Sequence, residues 1–258
     1  MSLFRLLLAS LLLAAPLQAA GLRLAFNTLE PWKQYDAAGQ ASGAYTEIAR
    51  ELARRLGLRL EIVDCPLKRC LAMLAGGRAD LAIGLQRSPE RDAYLSFLAT
   101  PYRLHSADKV FYLRRDEAGR VARYDDLLGL RLGVKLGSEL FDRFDADPRL
   151  DKQAVPENAT NFRKLLAGRV DAVALAEDQG EFLLATLGLA GKVAKAPYRE
   201  RDGSPRSVAL ARSSPHYPRL AEFEAAMAAM RRDGTLRRIY QQHYYRRYGI
   251  DEAAVRVE

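Results

Sequence analysis

The sequence lacks the residue patterns that metal sites and several kinds of active site require. Its three histidines, His105, His216 and His243, are far apart and in no spacing typical of metal ligands. The chain also has no Gly-x-Ser-x-Gly elbow and no phosphate-binding loop. We therefore predict no metal site, no cofactor and no catalytic residue.

Long runs of like charge are absent as well. Lys and Arg outnumber Asp and Glu by 40 to 32, but the basic residues are spread along the chain. No basic stripe is interleaved with stacking aromatics, so we predict that nucleic acid is not a partner. The positive excess is either a solvated surface or a feature that favours acidic ligands.

One apolar run stands out, and it is too short to span a bilayer comfortably. Arg5 precedes it, the run covers residues 6–15, and residues 16–20 resemble a cleavage region. We interpret residues 1–20 as a signal peptide and expect a periplasmic mature chain that begins near Gly21. A retained membrane anchor is the alternative.

Cysteine is scarce, with only Cys65 and Cys70. Export makes a disulfide possible. Two cysteines five residues apart within one helix are too distant to bridge. However, Pro66 predicts a loop around Cys65 and a helix whose first turn holds Cys70, so a disulfide and two free thiols both stay open.

Hydrophobic periodicity predicts helices and strands in alternation. In the first half we expect a strand at 22–27, a helix through Ile48, Leu52 and Leu56, a strand at 58–62, a helix that opens at Pro66, and a strand at 81–84. This β-α-β-α-β order implies parallel strands with helices on the faces. After Pro197 we expect a strand at 207–211 and helices at 220–232 and 235–248.

The second half of the chain repeats pieces of the first. Gly-Leu-Arg-Leu occurs at 21–24 and again at 129–132, and Gly-Arg-x-Asp occurs at 77–80 and again at 168–171. Taken singly, Gly-Arg-x-Asp is also a generic helix-to-strand turn. Because both pieces recur in the same order, we predict two similar lobes.

Seven short motifs carry a resemblance that covers almost the whole mature chain. They are Gly-x3-Gly at 39–43, Gly-Arg-Ala-Asp at 77–80, Ser-Pro-Glu-Arg at 88–91, Phe-x3-Pro-Tyr at 97–102, Gly-Val-x2-Gly-Ser at 133–138, Gly-Arg-Val-Asp-Ala at 168–172 and Arg-Asp-Gly-Thr at 232–235. With them the chain resembles the family-3 extracellular solute-binding proteins, the polar amino-acid binders of ABC importers.

The resemblance implies an α/β, two-lobed periplasmic-binding-protein-like fold of type II. Its parallel-type sheets are flanked by helices, and two crossing strands form the hinge. Lobe 1 would span 21–104 plus 204–258, and lobe 2 would span 105–203. The family's function implies a monomer that holds a small anionic ligand, an amino acid, modified amino acid or other carboxylate, in the cleft for an ABC permease of the inner membrane.

The resemblance also implies where that ligand binds. In the family, the arginine at the position of Arg91 grips the ligand carboxylate. A guanidinium matches a carboxylate with two parallel hydrogen bonds. Ser88 as N-cap and Pro89 as first helical residue would place Arg91 in the first turn of a helix.

Further candidates come from the same comparison. Gly84 and Gln86 follow a strand whose end contributes ligand contacts in the family. Ser138 would open a helix in lobe 2 and present N–H groups to the anion. Trp32 stands where the family has a stacking aromatic, with weaker candidates in Tyr35, Tyr45 and Tyr102.

The sequence departs from the family pattern at two positions that affect which ligand can bind. The acids that usually hold the α-ammonium group are replaced by Ala176 and Asn27. Glu30, Glu177 or Asp178 would have to substitute for them. A buried ammonium without a carboxylate is costly, so we expect a ligand that is not a standard α-amino acid.

Two other functions share this fold. A secreted dehydratase of the cyclohexadienyl type needs an acid to expel water, and Glu177 is the candidate for that role. A messenger protein that docks on a sensor kinase or chemoreceptor would have the same pocket as a binding protein for an importer.

Overall fold

The computed structural model describes residues 21–257. The predicted signal peptide at 1–20 lies outside the described residues. Among residues 21–257, no helix has the length and apolar character that a membrane crossing needs.

Strands and helices alternate along the chain, as the hydrophobic pattern predicts. In order they are β1 (Gly21–Phe26), β2 (Gln34–Tyr35), β3 (Ala41–Ser42), α1 (Ala44–Arg55), β4 (Arg59–Asp64), α2 (Leu67–Ala75), β5 (Leu81–Ala82), α3 (Pro89–Asp92), β6 (Leu95–Phe97), β7 (Lys109–Arg114), β8 (Arg131–Lys135), α4 (Asp142–Ala146), β9 (Asp151–Val155), α5 (Asn158–Leu166), β10 (Ala172–Ala176), α6 (Glu177–Thr186), β11 (Val193–Glu200), β12 (Ala209–Ala211), α7 (Leu220–Arg232) and α8 (Thr235–Tyr240).

Two five-stranded sheets form the cores of two lobes, which confirms the two-lobed α/β fold. One sheet has the order β4-β1-β5-β12-β6 and the other has the order β11-β7-β10-β8-β9. β1 pairs in parallel with β4 and β5, as the β-α-β-α-β pattern predicts. Both sheets are mixed, because β12 and β7 run antiparallel to their neighbours.

The repeated sequence pieces take the same structural role in each lobe. In one lobe, Arg23 Nη2 donates to Asp80 Oδ1 at 2.7 Å and to the carbonyl of Gly77. In the other, Arg131 Nη2 donates to Asp171 Oδ1 at 2.9 Å and to the carbonyl of Gly168. Each Arg–Asp pair ties the start of a strand to the turn after a helix, so the repeat reflects a shared α/β unit.

Two chain segments cross between the lobes side by side. Arg206 N donates to the carbonyl of Arg103 at 3.0 Å, and Ser106 N donates to the carbonyl of Ser204 at 2.8 Å. The predicted lobe boundaries at 104/105 and 203/204 fall inside this crossing and stay a prediction. A two-strand crossing of this kind is where a hinge is expected to bend.

Cys65 and Cys70 form a disulfide, with their Cα atoms 5.3 Å apart. Pro66 is the N-cap of α2, so Cys65 lies in the preceding loop and Cys70 lies in the first turn. The bond fixes the start of α2 to the end of β4.

The last predicted helix, 235–248, is present, and it contains a wider turn in its middle. α8 ends at Tyr240, and a π-helical turn follows at Gln241–Arg246. The adjacent side chains of Tyr244 and Tyr245 are both buried. A wider turn brings two neighbouring residues toward the core, which the 3.6-residue pattern does not anticipate.

Candidate functional site

A cavity of about 340 Å³ lies between the two lobes. Strands of both sheets lead to it: Gly84 lies just beyond the end of β5, and Ala176 ends β10. The crossing segments contribute Arg103 and Arg206. Its position beside the carboxyl ends of strands is where open α/β sheets usually bind ligands.

The charged lining of this cavity is mainly basic. The charged residues that line it are Arg103, Lys109, Lys135, Asp178, Glu139 and Arg206. Four of these carry positive charge and two carry negative charge. Such an excess favours an anion over a cation in a site that is partly shielded from water.

Arg103 and Asp178 form a buried ion pair at the cavity wall. Arg103 Nη1 donates to Asp178 Oδ2 at 2.6 Å and to Tyr45 Oη at 3.3 Å. The two charged side chains are 3% and 4% exposed. Burial opposes charge on the guanidinium, but the neighbouring Tyr45 and Asp178 raise the pKa of Arg103 well above its usual value. Arg103 is therefore a cation throughout the working pH range.

Two donors of the same guanidinium have no acceptor. Arg103 Nε and Nη2 are buried and have no hydrogen-bond partner among the described residues. Unpaired buried donors cost roughly 1–3 kcal/mol each, and more on a charged group.

Trp32 also lines the cavity, within a stack of three rings. Its indole lies 5.1 Å from the ring of Tyr45 and 4.6 Å from the ring of Tyr244, at interplanar angles of 16° and 20°. Both faces of Trp32 are thus covered. Its proposed role as a stacking platform stays a prediction.

Gly43 makes this stack possible. Its φ of 106° is in the region that favours glycine, and a Cβ there would collide with the carbonyl oxygen of Trp32. Tyr45 N donates to the same carbonyl at 3.0 Å. The second glycine of the Gly-x3-Gly motif therefore holds Trp32 and Tyr45 side by side.

Lys33 directly follows the lining residue Trp32 in the chain and does not itself line the cavity. It is fully buried, and its Nζ donates to Asn27 Oδ1 at 2.9 Å. Burial lowers the pKa of Lys33 to about 7. The Lys33 Cε lies 3.6 Å from where a Cβ on Gly84 would be, so the two residues pack closely. Asn27 is occupied by this amine and does not line the cavity.

The structure gathers several predicted site residues at the cavity and leaves others outside. Trp32, Gly84, Gln86, Ser138 and Asp178 line it, as do the weaker candidates Tyr45 and Tyr102. Arg91, Glu30, Glu177 and Tyr35 are not among the lining residues.

Arg91 sits in the predicted backbone position but does not reach the cavity. Its N–H donates to Ser88 Oγ at 3.4 Å in the first turn of α3. Its guanidinium Nη1 donates to the carbonyl of Gln86. The predicted grip of Arg91 on a ligand carboxylate therefore stays a prediction that this geometry does not support.

The predicted helix start at Ser138 is wrong. The helix of this region, α4, begins at Asp142. Ser138 lies in the preceding loop, where its N–H and Oγ both donate to the carbonyl of Lys135, at 3.1 and 2.7 Å. Its N–H is thus occupied in a turn instead of being presented to an anion.

Glu177 and Glu30 do not line the cavity. Glu177 accepts a hydrogen bond from Lys195 Nζ at 2.7 Å and pairs with Arg199 at 3.3 Å. The side chain of Glu30 is on the exposed surface. Their role as substitutes for the missing ammonium partners stays a prediction.

Sequence reasoning missed the basic residues that dominate the lining: Arg103, Lys109, Lys135 and Arg206. Three of them lie outside the seven motifs, and Lys135 is one of the unspecified positions of the motif at 133–138. The only hint for Arg103 is that it directly follows the Pro-Tyr pair at 101–102, where the chain leaves lobe 1. Within residues 21–257, no group of three or more His, Cys, Asp or Glu residues is placed to hold a metal ion.

Comparisons with known proteins agree with this architecture. The sequence model of the bacterial extracellular solute-binding proteins, family 3, matches residues 22–246. The L-cystine-binding protein TcyJ of Escherichia coli (strain K12) is 26% identical over 224 residues, covering 84% of this chain and 80% of TcyJ.

Solved structures show the same fold at low sequence identity. An ancestral arginine-binding protein bound to arginine superposes with a TM-score of 0.67 at 22% identity, covering 88% of this chain and 99% of that one. An ancestral amino-acid-binding protein described as a precursor of cyclohexadienyl dehydratase superposes with a TM-score of 0.65, also at 22% identity, covering 88% of this chain and 95% of that one.

Proposed function

Because this chain belongs to the bacterial extracellular solute-binding proteins of family 3, we propose that it captures a small anionic ligand in the periplasm for delivery to an ABC importer. One observation carries the proposal: the cavity between the lobes is lined from both sides and has more basic than acidic residues. A ligand that contacts both lobes favours the closed arrangement, in which a permease would recognise the complex.

The lining also supports a ligand without an α-ammonium group. Ala176 occupies the cavity at the position where the family has an acid, and it offers no charge to an amine. Asn27, the other altered position, accepts its hydrogen bond from Lys33. An ammonium group enclosed here would lack the compensation that its burial requires.

A binding role is better supported than a dehydratase role. The acid that would serve the enzyme, Glu177, is absent from the cavity lining and is held by Lys195 and Arg199. The absence of product after incubation with prephenate or arogenate is the expected result for this protein.

A thermal-shift screen tests the proposed function. The purified mature protein is mixed with small carboxylates and with amines of similar size. We expect carboxylates and not amines to raise the melting temperature, because a ligand at about 100 times its Kd adds about 2.7 kcal/mol to the stability of the folded state. If amines alone stabilise the protein, or if no small acid does, the proposal is wrong.

Delivery to an importer needs a test of its own, because a messenger for a sensor would bind ligand in the same way. The cognate permease and ATPase are reconstituted in liposomes with the binding protein. Stimulated ATP hydrolysis and ligand uptake in its presence support import. Binding of ligand without any stimulation would favour the messenger role.

A further inference from the structure

The segment 241–257, which follows α8, is part of the core of the first lobe. Tyr245, Val255 and Val257 are buried in the hydrophobic cluster that also contains Leu22 of β1. Tyr245 Oη donates to the carbonyl of Val255 at 2.9 Å and accepts from Val257 N at 3.1 Å. The segment is therefore fixed to the first lobe by both apolar burial and hydrogen bonds.

Helix α6, from the second lobe, packs against this segment. Phe182 in the middle of α6 is 8% exposed and belongs to the same hydrophobic cluster of the first lobe. Its ring lies 4.8 Å from the ring of Tyr248, at an interplanar angle of 78°. In the first turn of α6, the carbonyl of Asp178 accepts a hydrogen bond from Tyr244 Oη at 2.7 Å, and both residues are buried.

Lys195 adds a polar connection from β11 of the second lobe. Its Nζ donates to the carbonyl of Ala254 at 2.7 Å. The same ammonium pairs with Glu177 and Glu181 in α6, at 2.7 and 3.3 Å. One cation thus joins α6 and β11 to the segment 241–257.

The other side of α6 packs on the sheet of its own lobe. A Cβ on Gly180 would lie 2.2 Å from the ring of Tyr112 in β7, so the helix and the sheet are in direct contact. The first turn of α6 also reaches the cavity, which Asp178 and Gln179 line. A single helix is therefore in contact with the second sheet, the first lobe and the ligand cavity.

From these contacts, and resting on the proposed function, we propose that the packing of α6 on the segment 241–257 is a third connection between the lobes, which sets ligand affinity. It stabilises the arrangement in which both lobes line the cavity. Lys195 and Phe182 are positioning residues in it, because neither lines the cavity. A ligand that needs both lobes binds only the fraction of molecules in that arrangement, so losing a contact that favours the arrangement weakens binding.

Replacing Lys195 by methionine tests this connection. The side chain is 22% exposed, and Glu177 keeps its pairing with Arg199 in the variant. In titration calorimetry with the small carboxylate selected by the thermal-shift screen, we expect affinity to fall about fivefold or more. Lys195→Arg keeps the charge and a donor and should retain most of the affinity. Lys192→Met, at an exposed position of the second lobe, is the matched control and should bind as the unaltered protein does.

Small-angle X-ray scattering of the ligand-free proteins gives a readout that a change in stability alone would not move. We expect Lys195→Met to have a larger radius of gyration than the unaltered protein, with the same circular dichroism spectrum. Phe182→Leu, which removes the ring contact with Tyr248, should have the same effect. Saturating carboxylate should remove the difference, because the ligand itself holds the lobes together.

The outcomes separate this inference from the proposed function. If no small acid binds the unaltered protein, the proposed function fails, and scattering still tests the connection between the lobes. If acids bind but affinity or the radius of gyration is unchanged in both Lys195→Met and Phe182→Leu, only the inference fails. A higher affinity in Lys195→Met would equally overturn it, because the contact would then hold the lobes apart.

Discussion

Replacing Asp178 by alanine is expected to lower the free energy of unfolding by about 3–5 kcal/mol. The side chain of its partner Arg103 is 3% exposed, so the variant leaves a buried cation without a counter-charge. Arginine stays protonated in proteins even without such a partner, so loss of a proton does not relieve this cost. Urea unfolding followed by circular dichroism at about pH 7 gives the difference between the two proteins.

The double variant Arg103→Met, Asp178→Leu is the control for this prediction. It removes both charges and fills similar volume, and such replacements of a buried ion pair are often neutral or stabilising. We therefore expect it to recover most of the stability lost in Asp178→Ala. A single variant that costs less than about 1 kcal/mol would contradict the burial of this pair in solution, since exposed pairs contribute no more than that.

The stability of the protein is expected to rise with pH above about 7 because of Lys33. Its pKa is about 7 in the folded protein, against the usual 10.5. Below pH 7 the amine is protonated in both the folded and unfolded states. Between the two pKa values the unfolded state binds more protons, so unfolding becomes harder by up to about 1.4 kcal/mol per pH unit.

Lys33→Met isolates this effect from other groups that titrate. The variant removes the proton-binding site. The unaltered protein should therefore gain stability relative to Lys33→Met as the pH rises from about 7 to 9. Lys68→Met, on the exposed surface of α2, should keep the slope of the unaltered protein. Equal slopes in all three proteins would mean that the Lys33 amine is hydrated and not buried.

The sequence pattern was sufficient to predict the two lobes, because each lobe is built from short local patterns that occur twice in the chain. Hydrophobic periodicity predicts the order of β1, α1, β4, α2 and β5, and each Gly-Arg-x-Asp repeat marks an equivalent turn. The Arg23–Asp80 and Arg131–Asp171 pairs show why: the same short stretch satisfies the same backbone groups in both lobes.

The residues that line the candidate site were harder to predict from the sequence. The motif at 88–91 does fix the backbone of Arg91, with Ser88 as N-cap, but it does not fix the direction of a long side chain. Arg103 and Asp178 lie 75 residues apart in the chain, so only the packing of the two lobes brings them together. A lone basic residue at a lobe crossing has no periodicity that would single it out.

A crystal structure of the mature protein with its best-bound small carboxylate tests the central claim most directly. The account predicts that the carboxylate lies inside the cavity between the lobes, against its basic lining residues. It also predicts that the ligand makes no contact with Asp178 through an amine. A carboxylate bound outside this cavity, or a ligand ammonium on Asp178, would contradict it.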